Sequence, residues 1–140
     1  MSTIRANPSR KTQSTRHVSR RLHGILDYLG GVLLILAAVF VPFPDEPMRM
    51  MSAASGAVLL FYSAGTDYEM GLLRFVPFPI HRGADLVLGM ALAFSPIHFA
   101  VHGIPALLFV AVGAMLIFLG FFTSGEASNT GVDKPILPGV

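Results

Sequence analysis

The chain has 140 residues, of which 53% are hydrophobic and only 13% are charged. Ordinary globular chains carry about 25% charged residues, so this composition excludes a typical soluble domain and favours a membrane protein. The absence of cysteine excludes disulfides, thiol nucleophiles and thiolate metal sites. Six of the ten basic residues lie in the first 21 positions, which contain no acid, so the positive charge belongs to one end of the chain.

Residues 1–21 are rich in Ser, Thr and Arg and lack apolar periodicity, which predicts a disordered basic arm. Four apolar stretches follow, and each approaches the ~20 residues that an α-helix needs to cross a bilayer. They are bounded by proline-rich connections and cover residues 22–42, 50–66, 83–101 and 104–123. The last residues, 127–140, are rich in Gly and Pro and predict an irregular tail.

The two halves of the chain resemble each other. Each half opens with His-x-x-x-Asp and closes with Gly-Ala followed by Thr-x-x-Glu, and the matching positions lie 57 or 58 residues apart. We therefore predict an all-α fold, a four-helix transmembrane bundle built from two tandem parallel helical-hairpin repeats. The repeats cover residues 22–69 and 81–126, and residues 70–80 form a cytoplasmic connection between them.

The distribution of Lys and Arg predicts the orientation in the membrane. The basic arm and the connection that contains Arg74 and Arg82 belong on the cytoplasmic side, so both termini are cytoplasmic. We expect a multi-pass protein of the bacterial inner membrane. A cleaved signal peptide and a mitochondrial transit peptide are the weaker alternatives. The expected partners are the lipid bilayer and anionic lipid bound by the arm, whereas nucleic acid is not expected because no aromatics interleave the arginines.

Polar residues inside the apolar stretches form a candidate site. Residues four apart share one face of a helix, so each His-x-x-x-Asp motif places its imidazole and carboxylate side by side. The second and fourth helices return to the same membrane side and add hydroxyls and carboxylates there. The candidate polar cluster contains His23, Asp27, Thr66, Asp67, Glu69, His81, Asp85, Thr123 and Glu126. Small residues predicted to pack helices together are Gly31, Gly56, Gly89, Ala93 and Gly113.

Three functions are compatible with this cluster. The first is a non-enzymatic membrane protein in which the cluster is mainly structural, since carboxylates near helix N-termini are favoured by about 0.3–1 kcal/mol. The second is a proton- or ion-coupled transport component acting as a homo-oligomer, because a His and an Asp on one face can relay protons. The third is a divalent-metal-binding membrane protein. No cofactor and no enzymatic motif are predicted, and His98 and His102 fit an interfacial helix end at the opposite side.

The pattern of two spans per unit, with a Ser-Pro step near the end of the unit's first helix, resembles the SPW-repeat bacterial membrane proteins. The family motif is Ser-Pro-Trp, and this chain has Ser95-Pro96-Ile97, while Pro42 alone stands in a comparable place in the first unit. The resemblance covers about residues 22–124. It implies a small integral membrane protein without an established activity, and it assigns no functional residue.

Overall fold

The computed structural model describes residues 18–123. These residues form four α-helices and no strand: α1 Arg20–Phe40, α2 Glu46–Gly65, α3 Phe78–His98 and α4 Gly103–Phe122. The predicted all-helical class is thus confirmed for the described residues. Most of the predicted arm, Glu126 and the tail at 127–140 lie outside them.

Two helices begin four or five residues earlier than the apolar pattern predicted. α2 begins at Glu46 because the Asp45 carboxylate caps it, accepting a hydrogen bond from the Met48 N–H over 2.8 Å. α3 begins at Phe78, where a proline occupies the first turn. Proline is tolerated in the first turn, since its missing N–H would have no intrahelical partner there. Pro47 and Pro79, which were expected to lie in the connections, therefore lie in the first turns of α2 and α3.

The Ser95-Pro96 step lies inside the last turn of α3, which ends two residues later at His98. Ser95 Oγ donates to the Leu92 carbonyl oxygen over 2.8 Å within this turn. The helix therefore ends near the proline, as expected, although it ends before the predicted boundary at residue 101.

α1 packs against α2, and α3 packs against α4, through direct backbone contact. A Cβ built on Gly56 would lie 2.6 Å from the carbonyl oxygen of Gly31. A Cβ built on Gly113 would lie 2.6 Å from both the Gly89 carbonyl oxygen and the Ala93 nitrogen. The five residues predicted to pack helices together thus lie at two backbone-to-backbone contacts, one in each hairpin.

The interior has an apolar middle and a polar end. Leu34, Leu59, Leu92 and Phe109, one from each helix, are almost fully buried in the middle. The polar end gathers the N-termini of α1 and α3 with the C-termini of α2 and α4, so the helices alternate in direction. This end contains the buried His, Asp and Thr side chains.

The outer surface is apolar. Large hydrophobic side chains are exposed on all four helices, including Leu29, Phe61, Phe94 and Leu107. Among the described helices, α1 and α4 are long and apolar enough to cross a membrane, judged by length and composition. α2 and α3 contain more polar residues and do not meet the same test, so two of the four predicted spans are supported in this way.

Candidate functional site

The two His-x-x-x-Asp motifs meet inside the bundle. His23 and Asp27 lie one turn apart on α1, and His81 and Asp85 lie one turn apart on α3. All four side chains are fully buried. We call these four residues the His/Asp cluster. Each hairpin supplies one imidazole and one carboxylate to it.

The four side chains direct one atom each toward a common centre. His23 Nε2 lies 2.9 Å from Asp85 Oδ2 and 3.2 Å from Asp27 Oδ2. His81 Nε2 lies 3.0 Å from Asp27 Oδ2 and 3.3 Å from Asp85 Oδ2. The two Nε2 atoms are 3.1 Å apart. A tetrahedron with metal–ligand bonds of about 2.0–2.1 Å has edges of about 3.3 Å, so these five separations suit atoms that share one metal ion, and all four ligand atoms lie within 4.8 Å of one another.

Two threonines hold the imidazoles by their other nitrogen. Thr66 Oγ1 lies 2.8 Å from His81 Nδ1, and Thr123 Oγ1 lies 2.8 Å from His23 Nδ1. Thr66 donates its hydroxyl proton to the Tyr62 carbonyl oxygen over 2.7 Å, so it must accept from His81 Nδ1–H. In the neutral imidazole this leaves the Nε2 lone pair pointing into the cluster, which is how metal-binding histidines are usually oriented.

The two aspartates differ in their second oxygen. Tyr62 donates its hydroxyl to Asp85 Oδ1. The residue 57 positions after Tyr62 is Leu119, which has no hydrogen-bond donor in its side chain. Accordingly, Asp27 Oδ1 is buried and makes no hydrogen bond to any described residue.

Aromatic rings close the cluster at the end of the bundle. The Phe78 ring lies 5.3 Å from the His23 ring and 5.9 Å from the His81 ring, measured between centroids. The Tyr68 ring lies 5.6 Å from the His81 ring. The guanidinium of Arg20 stacks over Phe78 at 4.6 Å. The cluster is therefore shielded from solvent on the side where the chain enters α1 and α3.

The sequence predicted more carboxylates in the cluster than the structure contains. Asp67 and Glu69 are exposed on the connection between α2 and α3, so within the described residues the buried cluster contains two carboxylates instead of up to five. The chain turns outward directly after Thr66, because Asp67 N–H donates to the Val76 carbonyl oxygen over 2.8 Å. Glu126 lies outside the described residues.

Sequence reasoning did not identify Tyr62, Tyr68 or Phe78. Tyr62 could have been found, because it lies four residues before Thr66 and therefore on the same face of α2. Phe78 lies three residues before His81 on the same face of α3, but the apolar pattern placed the start of that helix later. Tyr68 reaches the cluster through the path of the connection, for which the sequence carries no periodic signal. His98 and His102 are exposed at the opposite end of the bundle.

The arrangement is chemically suited to bind a cation. Two imidazole nitrogens and two carboxylate oxygens converge there, and an imidazole that carries its proton on Nδ1 presents the Nε2 lone pair to the common centre. Buried negative charge that lacks a counter-charge is strongly disfavoured. Comparison of the chain with models of protein families, with curated proteins and with solved structures finds no match.

Proposed function

We propose that this protein is an integral membrane protein that binds one divalent transition-metal ion in the His/Asp cluster, between its two helical hairpins. The observation that carries the proposal is the 3.1 Å separation of the two Nε2 atoms, with Asp27 Oδ2 and Asp85 Oδ2 beside them. Sequence reasoning ranked metal binding third, after a structural role and proton transport. The geometry of the four ligand atoms favours it over both.

The membrane assignment rests on the inverted distribution of polarity. The fully buried side chains include two His, two Asp and two Thr, whereas Val and Phe are exposed on every helix. In water this arrangement would leave large apolar surfaces hydrated, while in lipid it places them in contact with acyl chains. We propose four spans in a bacterial inner membrane with both termini cytoplasmic, which places the metal site near the cytoplasmic face.

A proton alone fits the cluster less well. If both imidazoles were protonated, two positively charged N–H groups would face each other across 3.1 Å. If one were neutral, its Nε2 lone pair could take a single shared proton, and the carboxylates would keep an excess of negative charge. A divalent ion neutralises both carboxylates and accepts both nitrogen lone pairs at once.

The ligand set favours zinc among common metals. Two imidazole nitrogens and two carboxylate oxygens within 4.8 Å of one another suit Zn²⁺ or Co²⁺. Mg²⁺ prefers octahedral oxygen coordination with several retained waters, and Ca²⁺ takes 6–8 oxygen ligands. Four protein ligands in a closed site are typical of structural zinc. The proposed role of the ion is therefore to link the two hairpins, which retains a structural function for the cluster.

The test is the metal content of the purified protein. After purification in detergent without chelator, we expect about one zinc per chain by mass spectrometry of the metal. His23→Ala and His81→Ala should each lose the metal, and His23→Gln serves as a milder variant should alanine prevent folding. The matched control is His98→Ala with His102→Ala, which removes two exposed histidines at the other end and should keep the stoichiometry.

A wild-type protein that folds, retains no metal and binds none on addition of Zn²⁺ or Co²⁺ would refute this function. In that case the proton- or ion-coupled alternative becomes the leading one. Its signature would be a proton flux in reconstituted vesicles that is lost on changing Asp27 or Asp85 to Asn without loss of helicity.

A further inference from the structure

One flank of the His/Asp cluster is covered by a cation. Arg82, which follows His81, donates from Nε and Nη2 to the Gly120 carbonyl oxygen over 2.9 and 2.6 Å. A guanidinium remains charged at all physiological pH values. It repels an approaching metal ion, and the low dielectric of the interior strengthens this repulsion. The Arg82 flank is therefore unsuitable as a route for a divalent cation.

The other flank carries buried oxygen atoms beside the Tyr68 ring, and the Arg20 guanidinium lies over the neighbouring Phe78 ring. Gly24 occupies the position that corresponds to Arg82, and Ser63 the position that corresponds to Gly120. Because Gly24 has no side chain, the Tyr68 ring fills this space, and a Cβ on Gly24 would lie 2.1 Å from Tyr68 Cε2. A neutral phenol thus replaces the guanidinium found on the opposite flank.

Three buried oxygens on this flank have no hydrogen-bond partner among the described residues: Asp27 Oδ1, Ser63 Oγ and Tyr68 Oη. Burial, and then the Asp27 carboxylate, raise the pKa of the Tyr68 hydroxyl, while the side-chain contact with Ser63 lowers it. The pKa of Tyr68 therefore responds to both Asp27 and Ser63, as expected when these three side chains surround one small volume. Buried polar atoms normally have partners, so three together indicate a ligand.

We infer that Asp27 Oδ1, Ser63 Oγ and Tyr68 Oη form an outer cation position through which the divalent metal ion enters and leaves the His/Asp cluster. The inference rests on the proposed metal binding. Asp27 belongs to both positions, since its Oδ2 faces the inner ligands and its Oδ1 faces the outer oxygens. An ion moving between them keeps at least one carboxylate ligand throughout.

The outer position lowers the barrier to metal exchange. Moving an unliganded divalent ion through an apolar interior is very costly, and oxygen ligands along the path reduce this cost. Tyr68 is carried by the connection between α2 and α3, so its ring can move without displacing a helix. Arg82, by contrast, lies on α3 itself.

The test measures the rate of zinc exchange in the full-length protein. We would follow zinc release to a chelator by stopped-flow and zinc uptake by the metal-free form. Tyr68→Phe and Ser63→Ala each remove one outer oxygen and retain the packing. Each should slow uptake and release by about tenfold, the effect of roughly 1.4 kcal/mol on a barrier, while the equilibrium affinity stays unchanged.

Arg82→Gln is the matched control for the opposite flank and should not slow uptake or release, because it removes a repelling charge and none of the proposed oxygen ligands. If Tyr68→Phe and Ser63→Ala exchange zinc at the wild-type rate, or if Arg82→Gln alone slows the exchange, the outer position is refuted while metal binding stands. If the wild-type protein binds no metal, both proposals fail together.

Discussion

At the scale of single residues, the two aspartates differ although their His-x-x-x-Asp motifs are alike. Asp85 receives a hydrogen bond from Tyr62, whereas the position corresponding to Tyr62 near Asp27 is Leu119. The hydrogen bond fixes the orientation of the Asp85 carboxylate. Asp27 lacks this restraint among the described residues, so Asp85 is the better-ordered ligand of the pair.

Tyr62→Phe should therefore weaken zinc binding by about 10–100-fold, the usual cost of removing a group that orients a metal ligand. The measurement is competition with a chelator of known zinc affinity. Tyr28→Phe is the matched control, because the Tyr28 hydroxyl donates to the Met70 carbonyl oxygen over 3.2 Å and not to any of the four ligands. Equal affinity of the wild type and Tyr62→Phe would show that Tyr62 does not orient Asp85.

At the scale of helices, the two hairpins are held internally by backbone contact and joined to each other by polar side chains. Lipid is as apolar as leucine, so the hydrophobic effect drives helix association in membranes only weakly. The bonds between hairpins include those between His81 and Thr66 and between His23 and Thr123. The polar end is therefore the specific junction between hairpins, and the glycines are the junctions within them.

Gly113→Ala should destabilise the α3–α4 hairpin by about 1–3 kcal/mol, because the new Cβ meets backbone atoms that cannot rotate away. Thermal unfolding in detergent measures the effect. Gly83→Ala is the matched control, since nothing lies within 4 Å of a Cβ at that helical position. It should be neutral or stabilise by up to about 1 kcal/mol. Equal stability of the two variants would contradict close packing at Gly113.

At the scale of the whole molecule, bound metal should determine how firmly the hairpins stay together. A ligand that binds only the folded state stabilises it by RT ln(1 + [L]/Kd), which is about 2.7 kcal/mol at 100 times Kd. Removing zinc with a chelator should lower the unfolding temperature, and adding zinc back should restore it. The His23→Gln variant should show a low unfolding temperature that is insensitive to both treatments.

The proposed orientation gives a second prediction at this scale. The chain has no cysteine, so single-cysteine variants can be labelled without background. His102→Cys, at the end opposite the cluster, should react with a membrane-impermeant thiol reagent added to intact spheroplasts. Leu72→Cys, which is exposed on the connection beside the cluster, should react only after the membrane is opened. Labelling of both positions from outside would refute the proposed topology.

The sequence alone predicted the helical class, the small residues at the helix contacts and the four residues of the His/Asp cluster. These features follow from the repeat of the α-helix, which acts within each helix separately. His23 and Asp27, four residues apart, share one face of α1 whatever surrounds that helix. Helix boundaries were predicted less well, because apolar periodicity does not register a cap such as Asp45 or a proline in a first turn.

Only the tertiary structure decided which of the polar residues meet. It brought His23 against Asp85 across 62 positions of sequence, left Asp67 and Glu69 at the surface, and placed Tyr62 and Tyr68 beside the cluster. Such pairings depend on the rotation of one helix against another and on the path of a connection. No spacing within a single helix encodes these, so the ligand geometry and its asymmetry emerge only when the two hairpins pack together.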